Sequence, residues 1–159
     1  MSLTEKNPIQ SGAETVRSLK GQVLVTRRVQ FCAAHRLNNP DKSDSWNIDQ
    51  YGICNHQHWH GHNYILEVTV AGEPDPETGY TLDLGDLKKI IHEEIVDKCD
   101  HRNFNCDVDF MKGIIPTTEN LVIAFWNQLE PRIKRGKLYS VRLQETENNS
   151  AEYRGGAGF

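Results

Sequence analysis

Residues 60–71 read HGHNYILEVTVA, and this segment sets the sheet around which the rest of the chain is arranged. Every second residue lies on one face of the predicted strand, with two histidines followed by apolar or aromatic residues: His60, His62, Tyr64, Leu66, Val68 and Val70. A period of two indicates a strand with one buried face. The strand thus carries a core face and, at its beginning, two imidazoles that point the same way.

Several other segments predict strands that pair with this one. Residues 22–31, QVLVTRRVQF, alternate in the same manner. A third long strand is predicted around 139–143, and shorter strands are predicted at 80–84 and 151–155. Residues 38–58 are polar and predict a long loop, which in a compact domain is usually functional.

Two helices are predicted between these strands. Apolar residues at helical spacing cover residues 84–95, with Asp83 or Asp86 as the N-cap. A second helix begins after the N-cap residue Thr117, and residues 97–116 between the helices are irregular. The order strand–strand–helix–helix–strand–strand predicts an α+β domain with an antiparallel sheet.

Length and composition exclude several classes of protein. The 159 residues fit one domain, and the net charge of −4 argues against a nucleic-acid partner. No stretch approaches the roughly 20 apolar residues of a membrane span. Residues 1–20 carry no export or transit signal and predict a mobile tail, with the domain at 21–159. Four irregularly spaced cysteines predict free thiols in a cytoplasmic protein.

Three histidines form a candidate metal site. His60 and His62 share a strand face and can reach one ion, although two surface histidines explain this pair equally well. His35 follows the first strand, and a hairpin-like pairing of the two strands would bring it beside them. Three neutral imidazoles with one open position form a catalytic zinc site.

Other residues near this site are candidates for proton transfer or binding. Cys54 precedes His60 in the long loop and is either a thiolate favoured by a nearby dication or an inert buried thiol. Asp100 and His101 are a possible carboxylate–imidazole pair, although neighbouring side chains on a regular element diverge. Glu145 ends the third long strand, either as a ligand-binding carboxylate or where the strand reaches solvent.

Two further assignments concern the remaining cysteines and histidines. Cys54, His56 and His58 are a rival ligand set, disfavoured because they lie in a predicted loop. The other three cysteines are interpreted as structural: Cys32, Cys99 and Cys106.

Together these residues resemble the 6-pyruvoyl-tetrahydropterin synthase family. The resemblance extends from Val25 to Gly155 and rests on six segments in order: FCAAHRL, YGICNHQHWHGHNY, DLGDLK, CDHRNF, PTTENL and QETENN. It implies the tunnelling fold (T-fold), an antiparallel sheet with two helices on one face and ββααββ order. Subunits of this fold assemble into a barrel, as trimers that stack into a homohexamer.

The resemblance also implies roles for residues. His35, His60 and His62 would bind zinc, with Cys54 as general base completed by Asp100 and His101. Glu145 would anchor the pterin ring, in a pocket lined by three residues of one segment: Thr117, Thr118 and Glu119.

The implied reaction converts 7,8-dihydroneopterin triphosphate to 6-pyruvoyl-tetrahydropterin and triphosphate, in tetrahydrobiopterin biosynthesis, with magnesium accompanying the triphosphate. Three arginines are candidates, by their position alone, for binding the phosphates: Arg27, Arg28 and Arg36.

Two rival functions differ in kind. One is 6-carboxytetrahydropterin synthase of queuosine biosynthesis, whose members typically have a C-x3-H-G-H spacing, whereas Cys54 and His60 here give C-x5-H-G-H. The other is a non-catalytic zinc or pterin-binding module. Such a module would not need the acid–base residues Cys54, Asp100 and His101.

Overall fold

The computed structural model describes residues 17 and 19–156. The strands are β1 (Val23–His35), β2 (His60–Gly72), β3 (Arg102–Asn103), β4 (Lys137–Gln144) and β5 (Ser150–Tyr153). The helices are α1 (Asp44–Tyr51), α2 (Leu84–Ile91), α3 (Asp97–Cys99) and α4 (Thr118–Leu129). A π-helical segment, His92–Val96, joins α2 to α3. The mobile tail predicted for residues 1–20 falls mostly outside the described residues.

The five strands form one sheet in the order β3-β1-β2-β4-β5. β1, β2, β4 and β5 pair antiparallel with their neighbours, while β3 pairs parallel to β1 over two residues. The predicted α+β class with a mainly antiparallel sheet is therefore confirmed. The long pairing of β1 with β2 matches His35 with His60, as the predicted hairpin requires.

The core lies between one face of the sheet and the helices α2 and α4. Alternate residues of β2 and β4, such as Leu66 and Val141, are fully buried and belong to one cluster with Leu87 of α2 and Phe125 of α4. The helix starts follow the predicted caps: the Asp83 carboxylate accepts from Gly85 N, and Thr117 accepts from Asn120 N. Two helices thus cover one face, as predicted.

The predicted element order is incomplete, because the loop predicted at 38–58 contains α1. Ser43 caps this helix through a bond from Trp46 N, and Gly52 ends it with a φ of 53°. Only Asn47 of α1 is buried. A helix without an apolar stripe leaves no hydrophobic period in the sequence, and for that reason the prediction of a loop was wrong here.

Two shorter segments also differ from the prediction. Residues 80–84 do not form a strand; Thr81 and Leu82 are buried, but the segment leads directly into the cap of α2. The short strand β3 lies within 97–116, which was predicted to be irregular.

Within the described residues, the helices all fall short of the apolar length needed to cross a bilayer.

Candidate functional site

The pairing of β1 with β2 brings three imidazoles together at one end of the sheet. His35 and His60 are register partners, and their Nε2 atoms lie 3.0 Å apart. The ring of His62, two residues further along β2, lies 5.2 Å from that of His35 and 5.0 Å from that of His60. Ligand atoms of all three residues lie within 4.8 Å of one another, so the group can hold a metal ion.

The protonation of His35 suits a metal ligand. Its Nδ1 donates to the carbonyl oxygen of Pro116 at 2.8 Å, which leaves the Nε2 lone pair of the neutral ring facing His60. Burial lowers the pKa of His35 below its ordinary value, and burial also lowers the pKa of His60. Neutral imidazoles are the form that binds metals.

Two ring nitrogens of the group have no hydrogen-bond partner. His60 Nδ1 and His62 Nε2 are both buried and unpaired. Buried polar atoms without a partner are uncommon in folded proteins, and a ligand or ion is one explanation. The residues present therefore fit a metal ion.

The rival ligand set does not form such a group. In the part of the chain that the structure describes, no metal-like cluster joins Cys54 to His56 and His58. The rings of His56 and His58 lie 5.4 Å apart on an exposed segment. They lie outside the three-histidine group.

Glu145 lies beside the three histidines. Its Oε1 is 3.6 Å from His35 Nε2 and 3.9 Å from His62 Nε2, and its side chain is 19% exposed. The carboxylate thus faces the candidate metal centre instead of bulk solvent, which favours the ligand-binding interpretation of this residue.

Cys54 lies in a 3₁₀ turn, Gly52–Asn55, and its thiol is half-buried. Burial raises its pKa, and the charge of Glu145 raises it further. The surroundings in the chain therefore favour the protonated thiol, so a thiolate at Cys54 depends on a nearby cation.

A network of hydrogen bonds ties Cys54 to the end of β1. Leu37 N donates to Cys54 O at 2.9 Å. Arg36 donates to Asn55 O at 2.8 Å and to Asn55 Oδ1 at 3.2 Å, and Asn55 Nδ2 donates to Leu37 O at 2.7 Å and to Asn38 Oδ1 at 3.0 Å. Arg36, a candidate phosphate ligand in the sequence, is thus engaged in holding the Cys54 turn.

Asp100 and His101 form a pair because of an unusual backbone angle. His101 has a φ of 57°, and its Nδ1 lies 3.0 Å from Asp100 Oδ2. A hydrogen bond from Cys32 N is the main cause that holds the Asp100 pKa below its usual range. The side chains are 36% and 80% exposed for Asp100 and His101.

The thiol next to this pair is Cys32, not Cys54. Donor atoms of Cys32, Asp100 and His101 lie within 4.8 Å of one another, and across the described residues no such group includes Cys54. Cys32 has the opposite strand parity from His35, so the pair lies toward the other face of β1. The close group that contains the Asp100–His101 pair therefore holds Cys32, and the triad of Cys54, Asp100 and His101 stays a prediction. The interpretation of Cys32 as purely structural did not include this contact, and the opposite strand parity of Cys32 was the only signal for it in the sequence.

The segment before α4 borders the site. Pro116 supplies the carbonyl that orients His35, and the next residues are half-buried at Thr117 and Thr118 and exposed at Glu119. Thr117 Oγ1 accepts from Asn120 N, which is its capping role. The sequence signalled the helix start but gave no sign of the Pro116 contact.

A group of three histidines, one buried and two half-buried, with a carboxylate beside it at the end of a strand pair, is the arrangement of a metal-dependent enzyme. The family model described as 6-pyruvoyl tetrahydropterin synthase matches residues 24–156. The chain belongs to this family, as its resemblance predicted.

Relatives and solved structures agree with that assignment. The 6-pyruvoyl tetrahydrobiopterin synthase of Homo sapiens is 42% identical over 134 residues, 84% of this chain and 92% of that protein. The one of Dictyostelium discoideum is 44% identical over 133 residues, 84% of this chain and 96% of that protein. The structure of Caenorhabditis elegans 6-pyruvoyl tetrahydropterin synthase has a TM-score of 0.81 and 38% identity, covering 85% of this chain and 96% of that chain.

Proposed function

We propose that this protein is a zinc-dependent lyase that converts 7,8-dihydroneopterin triphosphate to 6-pyruvoyl-tetrahydropterin with loss of triphosphate. The observation that carries the proposal is the group of His35, His60 and His62 with the Glu145 carboxylate beside it. Relatives at 42% identity bear the name 6-pyruvoyl tetrahydrobiopterin synthase.

Substrate binding falls to Glu145 and to the start of α4. The carboxylate accepts from the ring N–H and amino group of a pterin, which are adjacent donors that suit two carboxylate oxygens. Its low exposure, 19%, keeps these bonds out of water. Thr117, Thr118 and Glu119 line the same pocket, next to the Pro116 carbonyl that contacts His35.

The three histidines hold zinc, since three nitrogen ligands with an open position suit its tetrahedral preference. Bound zinc would polarise the hydroxyl groups of the substrate side chain and acidify its neighbouring C–H groups. Magnesium accompanies the triphosphate.

Proton transfer uses Cys54, His101 and Asp100. Cys54 removes a proton from the substrate side chain and His101 returns one at another atom of that chain. Asp100 orients the ring of His101 through the contact of 3.0 Å with Nδ1. Because burial raises the pKa of Cys54, a cation near the thiol is needed for it to act as a base.

Assembly into trimers that stack as a hexamer is part of the proposal. The outer edge of β1 is paired only at Ala33 and Ala34, and β5 is the other edge of the sheet, among the described residues. Unpaired edges support continuation of the sheet into neighbouring subunits, which would close a barrel. This assembly would also let Cys54 of one subunit meet His101 of another.

The catalytic unit is residues 21–159, acting in the cytoplasm as a protein with free thiols.

The second candidate function is 6-carboxytetrahydropterin synthase. A protein of Archaeoglobus fulgidus with that putative name is 36% identical over 95 residues, 60% of this chain and 75% of that protein. The longer matches to 6-pyruvoyl tetrahydrobiopterin synthases and the C-x5-H-G-H spacing favour the first candidate. A module that only binds zinc or pterin is disfavoured, because it would not need the acid–base residues Cys54, Asp100 and His101.

The test is incubation of the zinc-loaded protein with 7,8-dihydroneopterin triphosphate, with the product identified by mass. We expect 6-pyruvoyl-tetrahydropterin and released triphosphate from the wild type. Cys54→Ala should keep zinc and bind substrate but lose most turnover, by roughly 10²–10⁴-fold. The 6-carboxy product would assign the second function, and absence of any product from zinc-loaded protein would support a binding module.

A further inference from the structure

We propose a second divalent-cation site, formed by Cys32, Asp100 and His101, that takes a zinc-like ion. The thiol, a carboxylate oxygen and a ring nitrogen of these residues lie within 4.8 Å of one another. They share no residue with the group of His35, His60 and His62. The two groups also lie toward opposite faces of β1, since Cys32 and His35 differ in strand parity.

The backbone fixes the geometry of the three donors. Cys32 N donates to Asp100 Oδ1 at 2.9 Å, and His101 N donates to Cys32 O at 2.7 Å. Ala33 pairs with Arg102, which ties the following residues to β1 as well. These bonds on both sides hold His101 at a φ of 57°, and strained backbone of this kind clusters at sites that bind ligands.

The chemistry of the donors suits zinc or a similar ion. Cysteine, histidine and aspartate are its usual ligands in proteins. The contact between His101 Nδ1 and Asp100 Oδ2, 3.0 Å, is a separation that two ligands of one ion can adopt. An ionised Asp100 and a thiolate at Cys32 would together offset the charge of a dication.

In a single subunit, an ion can reach these donors from solvent. The ring of His101 is 80% exposed. A cavity of about 400 Å³, lined by Cys32, Asn103, Asp107 and both His62 and His101, lies against the group. It leaves room for water molecules to complete the coordination.

Occupation of this site would inhibit the enzyme. The ion would bind the ring nitrogen of His101 and the carboxylate of Asp100, which the proposed function uses for proton transfer. The expected inhibition therefore rests on the proposed function. Excess zinc should therefore lower turnover of the wild type, and Cys32→Ser should reduce that inhibition, because it removes one ligand from outside the acid–base pair.

Binding is tested by titrating the metal-free full-length protein with cobalt(II), whose bonds to thiolate give a charge-transfer band in the near ultraviolet. We expect two ions per subunit in the wild type, with the thiolate band appearing as the weaker site fills. His60→Ala should lose the tight site and keep the band. Cys32→Ser should lose the band and keep the tight site, while Cys106→Ser, at an exposed thiol, serves as the matched control.

Two results would overturn the second site: a single cobalt ion per subunit without a band, or a band that survives Cys32→Ser and disappears in Cys54→Ser. Circular dichroism of each variant separates a lost ligand from a lost fold. The turnover measurement with excess zinc tests the inhibitory role separately from the binding measurement. A band that depends on Cys32, in a protein without turnover, would retain the second site and reject the proposed function. Turnover insensitive to excess zinc, with the band present, would reject the inhibitory role.

Discussion

At the scale of the residue, the φ of 57° at His101 lies in the left-handed region that residues other than glycine rarely adopt. On a regular strand or helix its ring would diverge from the neighbouring carboxylate of Asp100. Here the two groups are 3.0 Å apart. A single backbone angle, held by the bond from His101 N to Cys32 O, therefore creates the proposed acid–base pair.

Removing the His101 ring should slow the reaction with little effect on substrate binding, since its proposed work is proton transfer. We expect His101→Ala to lower kcat by about 10²–10⁴-fold with KM nearly unchanged. Asp100→Asn should reproduce part of this loss, because it keeps the shape and removes the charge that orients the ring. Steady-state kinetics check both variants, and a raised KM at normal kcat would assign His101 to binding instead.

Glu145→Gln should chiefly weaken substrate binding. The substitution keeps the size of the side chain but replaces one acceptor oxygen with a donor, which breaks the pairing with the pterin. Hydrogen bonds to charged groups contribute about 1.5–3 kcal/mol, so we expect a loss of affinity of roughly 10–100-fold. Equilibrium binding measures it, with zinc content determined in parallel. Loss of zinc at unchanged substrate affinity would make the carboxylate a metal ligand instead.

Replacing any one of His35, His60 and His62 by Ala should remove the zinc that the three-histidine site retains after dialysis. Each supplies one of three ligands, and the remaining two hold the ion weakly. His56→Ala and His58→Ala are matched controls, because both rings are exposed and lie outside the group. Metal analysis after dialysis distinguishes the two sets. Zinc lost only from the controls would transfer the site to the set that includes Cys54.

At the scale of the element, the 3₁₀ turn that carries Cys54 depends on Asn55. Its side chain accepts from Arg36 and donates to Leu37 O and Asn38 Oδ1, and the residue is 6% exposed. Residues 36–38, which follow β1, and the Cys54 turn are thereby fixed to each other, although residues 36–38 belong to no helix or strand. We infer that Asn55 positions the thiol.

Asn55→Ala should destabilise the protein and misplace Cys54. It leaves buried polar groups unpaired, which costs about 1–3 kcal/mol in the free energy of unfolding. Urea denaturation measures this cost, and the exposed Asn148→Ala should change stability by no more than about 0.5 kcal/mol. We also expect a lower kcat and a changed alkylation rate of Cys54, with zinc retained. Normal kcat and alkylation in the destabilised variant would limit Asn55 to a structural role.

The elements that the sequence predicts are those with an apolar period. β1, β2, α2 and α4 follow their patterns because each buries one face against the same core. The helix α1 was missed since it buries only Asn47, and β3 because two residues are too few to show a period. Pairing of β1 with β2 was predictable from their matched patterns, and with it the three-histidine group.

At the scale of the whole molecule, the predicted triad joins residues that are far apart in the sequence. The sequence motifs predict its members, Cys54, Asp100 and His101. No local pattern, however, tells which copy of the chain supplies each one. The Asp100–His101 pair lies beside Cys32, with Cys54 outside that group. The candidate residues are therefore predictable from the sequence motifs, whereas their arrangement in space is not.

Mixing two inactive variants, Cys54→Ala and His101→Ala, should restore some activity in reassembled oligomers. A mixed interface can contain an intact thiol from one subunit and an intact imidazole from the other. Activity after dissociation and reassembly of the mixture is the measurement, and each variant reassembled alone is the control. Mixtures without activity, despite subunit exchange verified by mass spectrometry, would contradict a site shared between subunits.

Pairing of β1 with β2 closes residues 36–59 into a loop whose ends are the partners His35 and His60. An ion bound by both imidazoles would close the same loop, and it would act as a removable cross-link between the two strands. Because its ligands come together only in the folded hairpin, its binding free energy would add to the free energy of folding. A chelator would then loosen the sheet at the end where the thiol and the carboxylate of Glu145 are held.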